Sequence, residues 1–511
     1  MQESVSNNKR IAKNTLMLYI RMLLSIAVTL YTSRVILEVL GVSDYGIYNV
    51  VGGVVAMFSF VNSSMAGATS RFLTFELGQG NQQRLRDTFS SSLLIHIGIA
   101  LLVFVLAETV GLWFLYNKLI IPPDRMTAAL WVYQCSVISA MLGFTQVPYN
   151  ALIIAHERMG VYAYIEIFNV TLKLLIIYLL TIGDFDKLII YAVLVLFVSV
   201  IVMATYRIYC MHNFIESHFH FIWRKDILRP IVSFTGWDFY GNMCYTLRQQ
   251  GSNFLINNFF GVVANASSGI ATTVNGAISG LASNIITAFR PGIIKSYSQK
   301  NWVQMQSMIN NAIQFSSLFI ITLSIPILID TSYIIQLWLG ETPKYVEPFI
   351  RLILLTNCIG LVNSVIVIGI HASGRIVSLS FFTGTLYLLS LPVAYFFLKF
   401  GFDADIVYLV CLLFNLFILI ADLFIIKKHV KEISIMQIIR IIVKSLIVAI
   451  ICMTALLMLF SGLDVGFPRL LLLSVSDVMI MAILTYIFVL NSTQRVYVKR
   501  IIDQYFSRLK R

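Results

Sequence analysis

The chain has 511 residues, of which 58% are hydrophobic, 13% aromatic and 12% charged, and its mean hydropathy is +0.84. Soluble domains carry about 25% charged residues, so 37 basic and 24 acidic side chains leave too little polar surface for a water-soluble protein of this length. A cytosolic enzyme, a secreted disulfide scaffold and a disordered chain are excluded, and a polytopic helical membrane protein is indicated.

Apolar runs of about 20 residues, each able to cross ~30 Å of hydrocarbon as a helix, recur along the whole length. They predict fourteen transmembrane helices at 14–37, 45–67, 89–115, 126–154, 161–182, 188–211, 232–256, 265–288, 306–329, 347–370, 376–398, 405–426, 438–461 and 469–491. The seventh and eighth are the richest in polar and small residues. The first thirteen residues are polar and basic, and the apolar stretch behind them is long and interrupted by Arg21, so no cleaved leader is expected. Cys135, Cys210, Cys244, Cys358, Cys411 and Cys452 all lie in or beside apolar stretches without metal-ligand spacing, which marks them as small apolar packers.

Alternate loops collect the positive charge. One set holds Lys9, Arg10, Lys13, Arg71, Arg84, Arg86, Arg158, Arg224, Lys225, Arg229, Arg290, Lys295, Lys300, Arg375, Lys427, Lys428, Lys431 and the tail from Arg495 to Arg511. The opposite set holds only Lys118, Lys187, Lys344 and Lys399, with Arg125 and Arg469 at span edges. The positive-inside rule then puts both termini on the cytoplasmic side of the membrane. The net charge of +13 is explained by topology, without nucleic acid. The outer loops are too short for a catalytic domain, so no enzyme activity is expected.

The chain also repeats itself at a shift of about 220 residues. Gly41-Val42 matches Gly261-Val262, Arg71 matches Arg290, and Gln79-Gly80-Asn81 matches Gln299-Lys300-Asn301. Leu112-Trp113 matches Leu337-Trp338, and Ala155-His156-Glu157-Arg158 resembles His371-Ala372-Ser373-Gly374-Arg375. The implied fold is all-α: two pseudo-symmetric six-helix bundles plus two C-terminal helices. The expected segments are a cytoplasmic start (1–13), an N-lobe (14–229), a C-lobe (230–430), helices 13–14 (431–491) and a basic tail (492–511). Two parallel bundles of this kind suggest an alternating-access transporter with its site between the halves.

The stretch Leu40-Gly41-Val42-Ser43-Asp44-Tyr45-Gly46-Ile47-Tyr48, followed by a span ending in Ser70-Arg71-Phe72, carries a specific likeness. With the six-plus-six-plus-two arrangement, it resembles the polysaccharide-transporter branch of the multidrug/oligosaccharidyl-lipid/polysaccharide superfamily, the Wzx-type O-antigen or repeat-unit flippases. The resemblance implies transport of undecaprenyl-diphosphate-linked oligosaccharide from the cytoplasmic to the periplasmic leaflet, in the service of lipopolysaccharide and related polysaccharide synthesis. It implies membrane lipids and other polysaccharide-assembly proteins as partners and no cofactor beyond a coupling ion, Na⁺ or H⁺; a monomer is the simplest expectation for a pseudo-symmetric transporter of this kind.

Charges inside spans are expensive and tend to face a protein interior or a watery cavity. Arg21 and Arg34 on span one, Arg248 on span seven, and Arg71 and Arg290 at the ends of spans two and eight are candidates for gripping a lipid diphosphate, which guanidinium groups do bidentately. Each has a plainer reading beside it: Arg34 pairing with Glu38 at i,i+4, Arg21 snorkelling, Arg71 and Arg290 as topological anchors. Arg248, mid-span beside Gln249 and Gln250, is the hardest to explain as structure. Asp238 is a candidate ion-coupling carboxylate or an ion-pair partner. Glu166 and Lys173, seven residues apart, share a helical face as a salt-bridge network or cavity lining. Asn62 on span two and Asn275 on span eight sit among small and hydroxylated residues, read either as close helix packing or as a wall for sugar hydroxyls. Pro148, Pro326 and Pro392 mark candidate bends. His218-Phe219-His220 lacks further ligands nearby, so no metal is expected. Two other readings compete: a drug/cation antiporter of the same superfamily, disfavoured by three arginines against one aspartate on spans one and seven, and a flippase for the peptidoglycan precursor.

Overall fold

The structure, a computed structural model, describes residues 2–56, 59–117, 119, 121–180, 186–340, 342–490, 494–496 and 499, and every regular element among them is helical. Helix α1 spans Gln2–Ala56, α2 Ser59–Gln79, α3 Gln82–Leu106 and α4 Leu112–Asn117, the last two joined by a π-helical turn at Ala107–Gly111. Then follow α5 Met126–Ala155, α6 Met159–Leu180, α7 Lys187–Asn213, α8 Lys225–Ser298, α9 Trp302–Ile329 and α10 Thr331–Leu339. The chain continues with α11 Val346–Ser373, α12 Val377–Lys399, α13 Ile406–His429, α14 Ile435–Phe460 and α15 Phe467–Leu484.

Eleven helical stretches among the described residues are long and apolar enough to cross a membrane, and the chain is a multi-span helical membrane protein. They match the third to sixth and eighth to fourteenth predicted spans. The first registers only as a shorter apolar helix, Asn14–Val28. The second and seventh lie in α1–α2 and the first half of α8 outside that set; Asp238, Asn242, Arg248, Gln249 and Gln250 dilute the seventh. The second and eighth predicted spans stop too early: their helices run on to Gln79 and Ser298. Hydropathy falls at Arg71 and Arg290, but buried Leu73 beyond the first and Ile293 and Ile294 beyond the second keep the backbone helical and packed.

The self-similarity reappears as backbone geometry. Gly41 breaks α1 at φ 76°, ψ 166°, and Gly261 breaks α8 at φ 77°, ψ −168°, a region open essentially to glycine alone. Gly80 (φ 73°) and Lys300 (φ 55°) turn the chain at the next matched pair, and Glu157 (φ 57°) and Gly374 (φ 75°) at the last. Three pairs aligned on sequence thus adopt the same uncommon conformation at the same points.

The chain divides into two compact units. Unit 1 is Met1–Asn242, Arg290–Asn301 and Gly374–Ser380. In it α5 packs on α2, α3 and α7, and α1 on α6, around a core holding Phe89, Tyr133, Leu152 and Tyr206. Arg125, just before α5, donates Nε to Asp44 (2.9 Å) and Nη1 to Asp186 (2.6 Å), and Asp186 also caps α7 by accepting from the Leu188 and Ile189 amides. Hydrogen bonding to Asp186 raises the Arg125 guanidinium above its ordinary value. Burial alone would raise the Asp186 carboxyl, but Arg125 and the α7 amides outweigh it and hold it below the usual carboxylate range. On the loop after α7, burial would likewise raise Glu216, yet the hydrogen bond to His156 (2.6 Å) keeps it low.

Unit 2 is Met243–Phe289, Trp302–Ser373 and Phe381–Arg511. In it α11 packs on α9 and α13, while α14 and α15 pack on each other and on α9. Ser252 lies 3.9 Å from the Cys411 thiol, and Ser268 2.6 Å from the Tyr408 hydroxyl, tying the α8 portion to α13.

Candidate functional site

The strongest site belongs wholly to unit 2. Three turns before the glycine break of α8, Arg248 points inward and is 5% exposed. Its guanidinium lies over two rings, Tyr245 at 5.2 Å one turn earlier on α8 and Tyr387 at 4.6 Å on α12. The two rings themselves meet edge to face at 5.4 Å. Among the described residues no carboxylate pairs with Arg248, and its buried Nε and Nη1 donate to no group. Ring faces attract a cation by about 0.5–2 kcal/mol each, whereas a buried charge without a counter-ion costs several kcal/mol. The fold therefore holds a cation ready for an anion.

Arg248 opens on a cavity of about 350 Å³ whose walls come from α8, α11, α12 and α13, within the size range of small-molecule sites. Hydroxyls and amides stud the lining, at Gln249, Thr272, Asn275, Ser279, Ser283, Thr356, Asn357, Ser364 and Asn415, among apolar residues such as Ile353 and Leu361. Asn357 Nδ2 donates to Ser279 Oγ at 2.5 Å, and Ser279 leans on Asn275 Oδ1 at 3.4 Å. Such a wall offers both donors and acceptors, and Tyr245, Tyr387 and Tyr408 add aromatic faces. Asn275, on the polar stripe of span eight, lines this cavity and also takes part in the hydrogen bonding that joins α8 to α11.

The other expected residues fall elsewhere. In unit 1, Asp238 accepts from Asn242 Nδ2 (3.2 Å), which also donates to Ser64 on α2 (3.0 Å), and Asp238 is attracted electrostatically to Arg290. A Cβ on Gly67 would sit 3.8 Å from Asp238 Oδ2, at ordinary contact distance, so α2 passes close beside the carboxylate. Arg71 is 7% exposed, lying over Phe72 at 4.5 Å and Phe75 at 4.8 Å. Its Nη2 approaches the place where a Cβ on Gly374 would be (2.7 Å), so the positive φ of that turn serves the guanidinium as well as the chain. Arg21 donates Nη1 to Tyr162 at 2.8 Å and lies over the same ring at 5.0 Å. Tyr206 donates to Glu166 at 2.9 Å. Lys173 is exposed, and among the described residues no ion pair joins it to Glu166; the seven-residue stripe straddles the edge between the packed and outer faces of α6. Asn62 has a buried Oδ1 that accepts no hydrogen bond from the described residues. The side chain of Arg34 lies outside the described residues, and so does its predicted pairing with Glu38.

Sequence reasoning singled out Arg248 but not its surroundings. Tyr245, three residues before it on one helical face, was a readable signal; Tyr387, on another helix, was not. Asp422 on α13 was not among the expected site residues. It is fully buried, with Oδ1 accepting from Thr383 at 3.3 Å and Oδ2 accepting from no described residue. His220, dismissed as a metal ligand, holds Asp87 at 3.0 Å, with Arg224 on the other oxygen at 3.1 Å.

No protein-family model and no curated protein match the sequence. Solved structures do match its fold. A crystal structure of a mutant of the Vibrio cholerae MATE transporter VcmN aligns at TM-score 0.63 and 14% identity, over 86% of this chain and all of that one. An outward-facing MATE family multidrug resistance transporter of the MOP superfamily aligns at TM-score 0.67 and 12% identity, over 84% of this chain and 97% of its own. A MOP superfamily transporter from Pyrococcus furiosus, described as having a binding pocket of reversed polarity that suggests a different function, aligns at 0.63 and 12%, over 83% and 96%. The chain has the fold of the MATE transporters of the MOP superfamily.

Proposed function

We propose that this protein is a flippase that carries a polyprenyl-diphosphate-linked oligosaccharide from the cytoplasmic to the periplasmic leaflet of a bacterial inner membrane by alternating access. The observation that carries the reading is the buried Arg248, without a carboxylate partner among the described residues, at the head of a cavity walled by hydroxyls, amides and tyrosine rings. Phosphate oxygens answer the guanidinium bidentately; sugar hydroxyls answer the amide and hydroxyl wall. The flippase motif around Gly41 to Tyr48 supports the same branch, and the basic loops support cytoplasmic termini. The Pyrococcus furiosus transporter, whose binding pocket of reversed polarity suggests a different function, shares this fold. With no nucleotide-binding motif in the sequence, we assign the driving force to an ion gradient or the membrane potential.

The multidrug antiporter reading has one observation in its favour, the buried Asp422 with an unmatched oxygen, a group suited to a proton or a cation. Binding separates the two, and also the peptidoglycan precursor. Purified protein should bind a short-chain polyprenyl-diphosphate disaccharide saturably, and Arg248→Met should weaken that binding. Saturable binding of a lipophilic cation, unaffected by the diphosphate lipid, would favour the antiporter. Tighter binding of the peptide-bearing precursor would move the assignment to that lipid.

A further inference from the structure

A second polar recess lies in unit 2, lined by residues other than those around Arg248. It is a cavity of about 190 Å³ between α9, α14 and the residues after α15. On α9, Gln314 is 3% exposed, and its Nε2, buried at this recess, donates to no described residue. On α14, Arg440 and Lys444 stand one turn apart on the same recess, and no carboxylate pairs with either among the described residues. Three donors, two of them cationic, therefore meet with no acid among the lining residues.

The surrounding bonds hold this recess in shape. Gln306 Oε1 accepts from the Ser434 amide at 2.7 Å, and Gln306 Nε2 donates to Asn310 Oδ1 at 2.8 Å. Asn310 Nδ2 then donates to Gln437 Oε1 at 3.0 Å, fastening the start of α14 to α9. Lys444 lies well inside the predicted span 438–461, and Arg440, exposed, lies near its start. Arg440 and Lys444 lie five and nine residues past Ile435, roughly 8 and 14 Å along an apolar helix at ~1.5 Å per residue. Intramembrane lysines and arginines mark anion paths or lipid headgroup sites more often than bare anchors.

We propose that Arg440, Lys444 and Gln314 form a binding site for the phosphate of an anionic membrane lipid, with the lipid's chains lying along the apolar faces of α14 and α15. The chemistry is that of a phosphate oxyanion: two cations supply charge-assisted hydrogen bonds and the amide supplies a neutral one. A lipid is favoured over a free ion because the site is sunk along an apolar helix whose neighbours, Ile439, Val443 and Ile447, are exposed. The proposal holds for either reading of the transported substrate, since the recess shares no lining residue with the cavity around Arg248.

The test is native mass spectrometry of the purified full chain titrated with dioctanoyl phosphatidylglycerol, dioctanoylglycerol and inorganic phosphate. Wild type should take one phosphatidylglycerol saturably and the phosphate-free diglyceride far more weakly, and equimolar inorganic phosphate should not displace the lipid. Arg440→Gln with Lys444→Gln should weaken binding at least tenfold, while Arg440→Lys should retain most of it. Should the double variant fail to fold, Gln314→Leu carries the test with an expected weakening of about threefold. Equal binding of diglyceride and phosphatidylglycerol, unchanged binding in the variants, or displacement by equimolar phosphate would each overturn the proposal, the last by assigning a soluble anion.

Discussion

Replacing Arg248 by methionine separates a guanidinium kept for a ligand from one kept for packing. Methionine has nearly the length and flexibility of the arginine stem but neither charge nor donors. Among the described residues nothing accepts from the buried Nε and Nη1, and each unmet buried donor costs about 1–3 kcal/mol. The rings of Tyr245 and Tyr387, at 5.2 and 4.6 Å, return about 0.5–2 kcal/mol each. The balance favours methionine by ~1–2 kcal/mol, so the variant should melt at the wild-type temperature or a few degrees above it. Ligand binding should move the other way. Losing a bidentate, charge-assisted grip of about 1.5–3 kcal/mol per bond should weaken affinity for a polyprenyl-diphosphate sugar by at least about a hundredfold. Thermal scans in detergent and a direct binding titration on the same preparation read both. A variant that melts well below wild type while binding the lipid as tightly would refute the reasoning and return Arg248 to a structural role.

Four further outcomes follow from other parts of the molecule. Arg125→Leu should destabilise unit 1 by about 1–3 kcal/mol, because two partly buried carboxylates lose their partner; thermal unfolding at pH 7 measures it. Asp186 is held below the usual carboxylate range, so its contribution is present above the unfolded value near ~3.9 and disappears as the pH falls through the folded one. The gap in melting temperature between wild type and Arg125→Leu should accordingly shrink below about pH 4. Gly374→Ala should cost about 1–2 kcal/mol, since its Cβ would meet the Arg71 guanidinium at a positive φ. Gly41→Ala and Gly261→Ala should each cost about 1–3 kcal/mol, because neither φ/ψ suits a residue with a Cβ; equal melting of either variant with wild type would argue against the glycine breaks.

The repeat was the most legible feature. Turn-forming positions are set by local backbone chemistry, so Gly41 and Gly261, Gly80 and Lys300, and Glu157 and Gly374 could be paired from sequence before their torsions were known. The motif from Leu40 to Tyr48 also has a physical content. Gly41 breaks the helix, Asp44 receives Arg125, and Tyr48 meets the ring of Tyr191 edge-on at 4.8 Å. Those partners were not readable, because Arg125 lies 81 residues from Asp44 and nothing local marks the pair. Hydropathy alone also misjudged where α2 and α8 end, since Arg71 is buried against aromatic rings where a window counts it as a headgroup anchor. Arg248 stood out because charge is rare in an apolar chain; the cavity around it is assembled from four helices and became visible only in three dimensions.

Transport itself tests the central claim most directly. Proteoliposomes loaded with a fluorescent undecaprenyl-diphosphate oligosaccharide, and carrying an imposed ion gradient, report leaflet exchange through quenching by a membrane-impermeant reductant. Wild type should move the lipid across within minutes and Arg248→Met should fall to the protein-free rate. A wild-type protein that leaves this lipid in place while exchanging a lipophilic cation for protons or Na⁺ would contradict the flippase assignment.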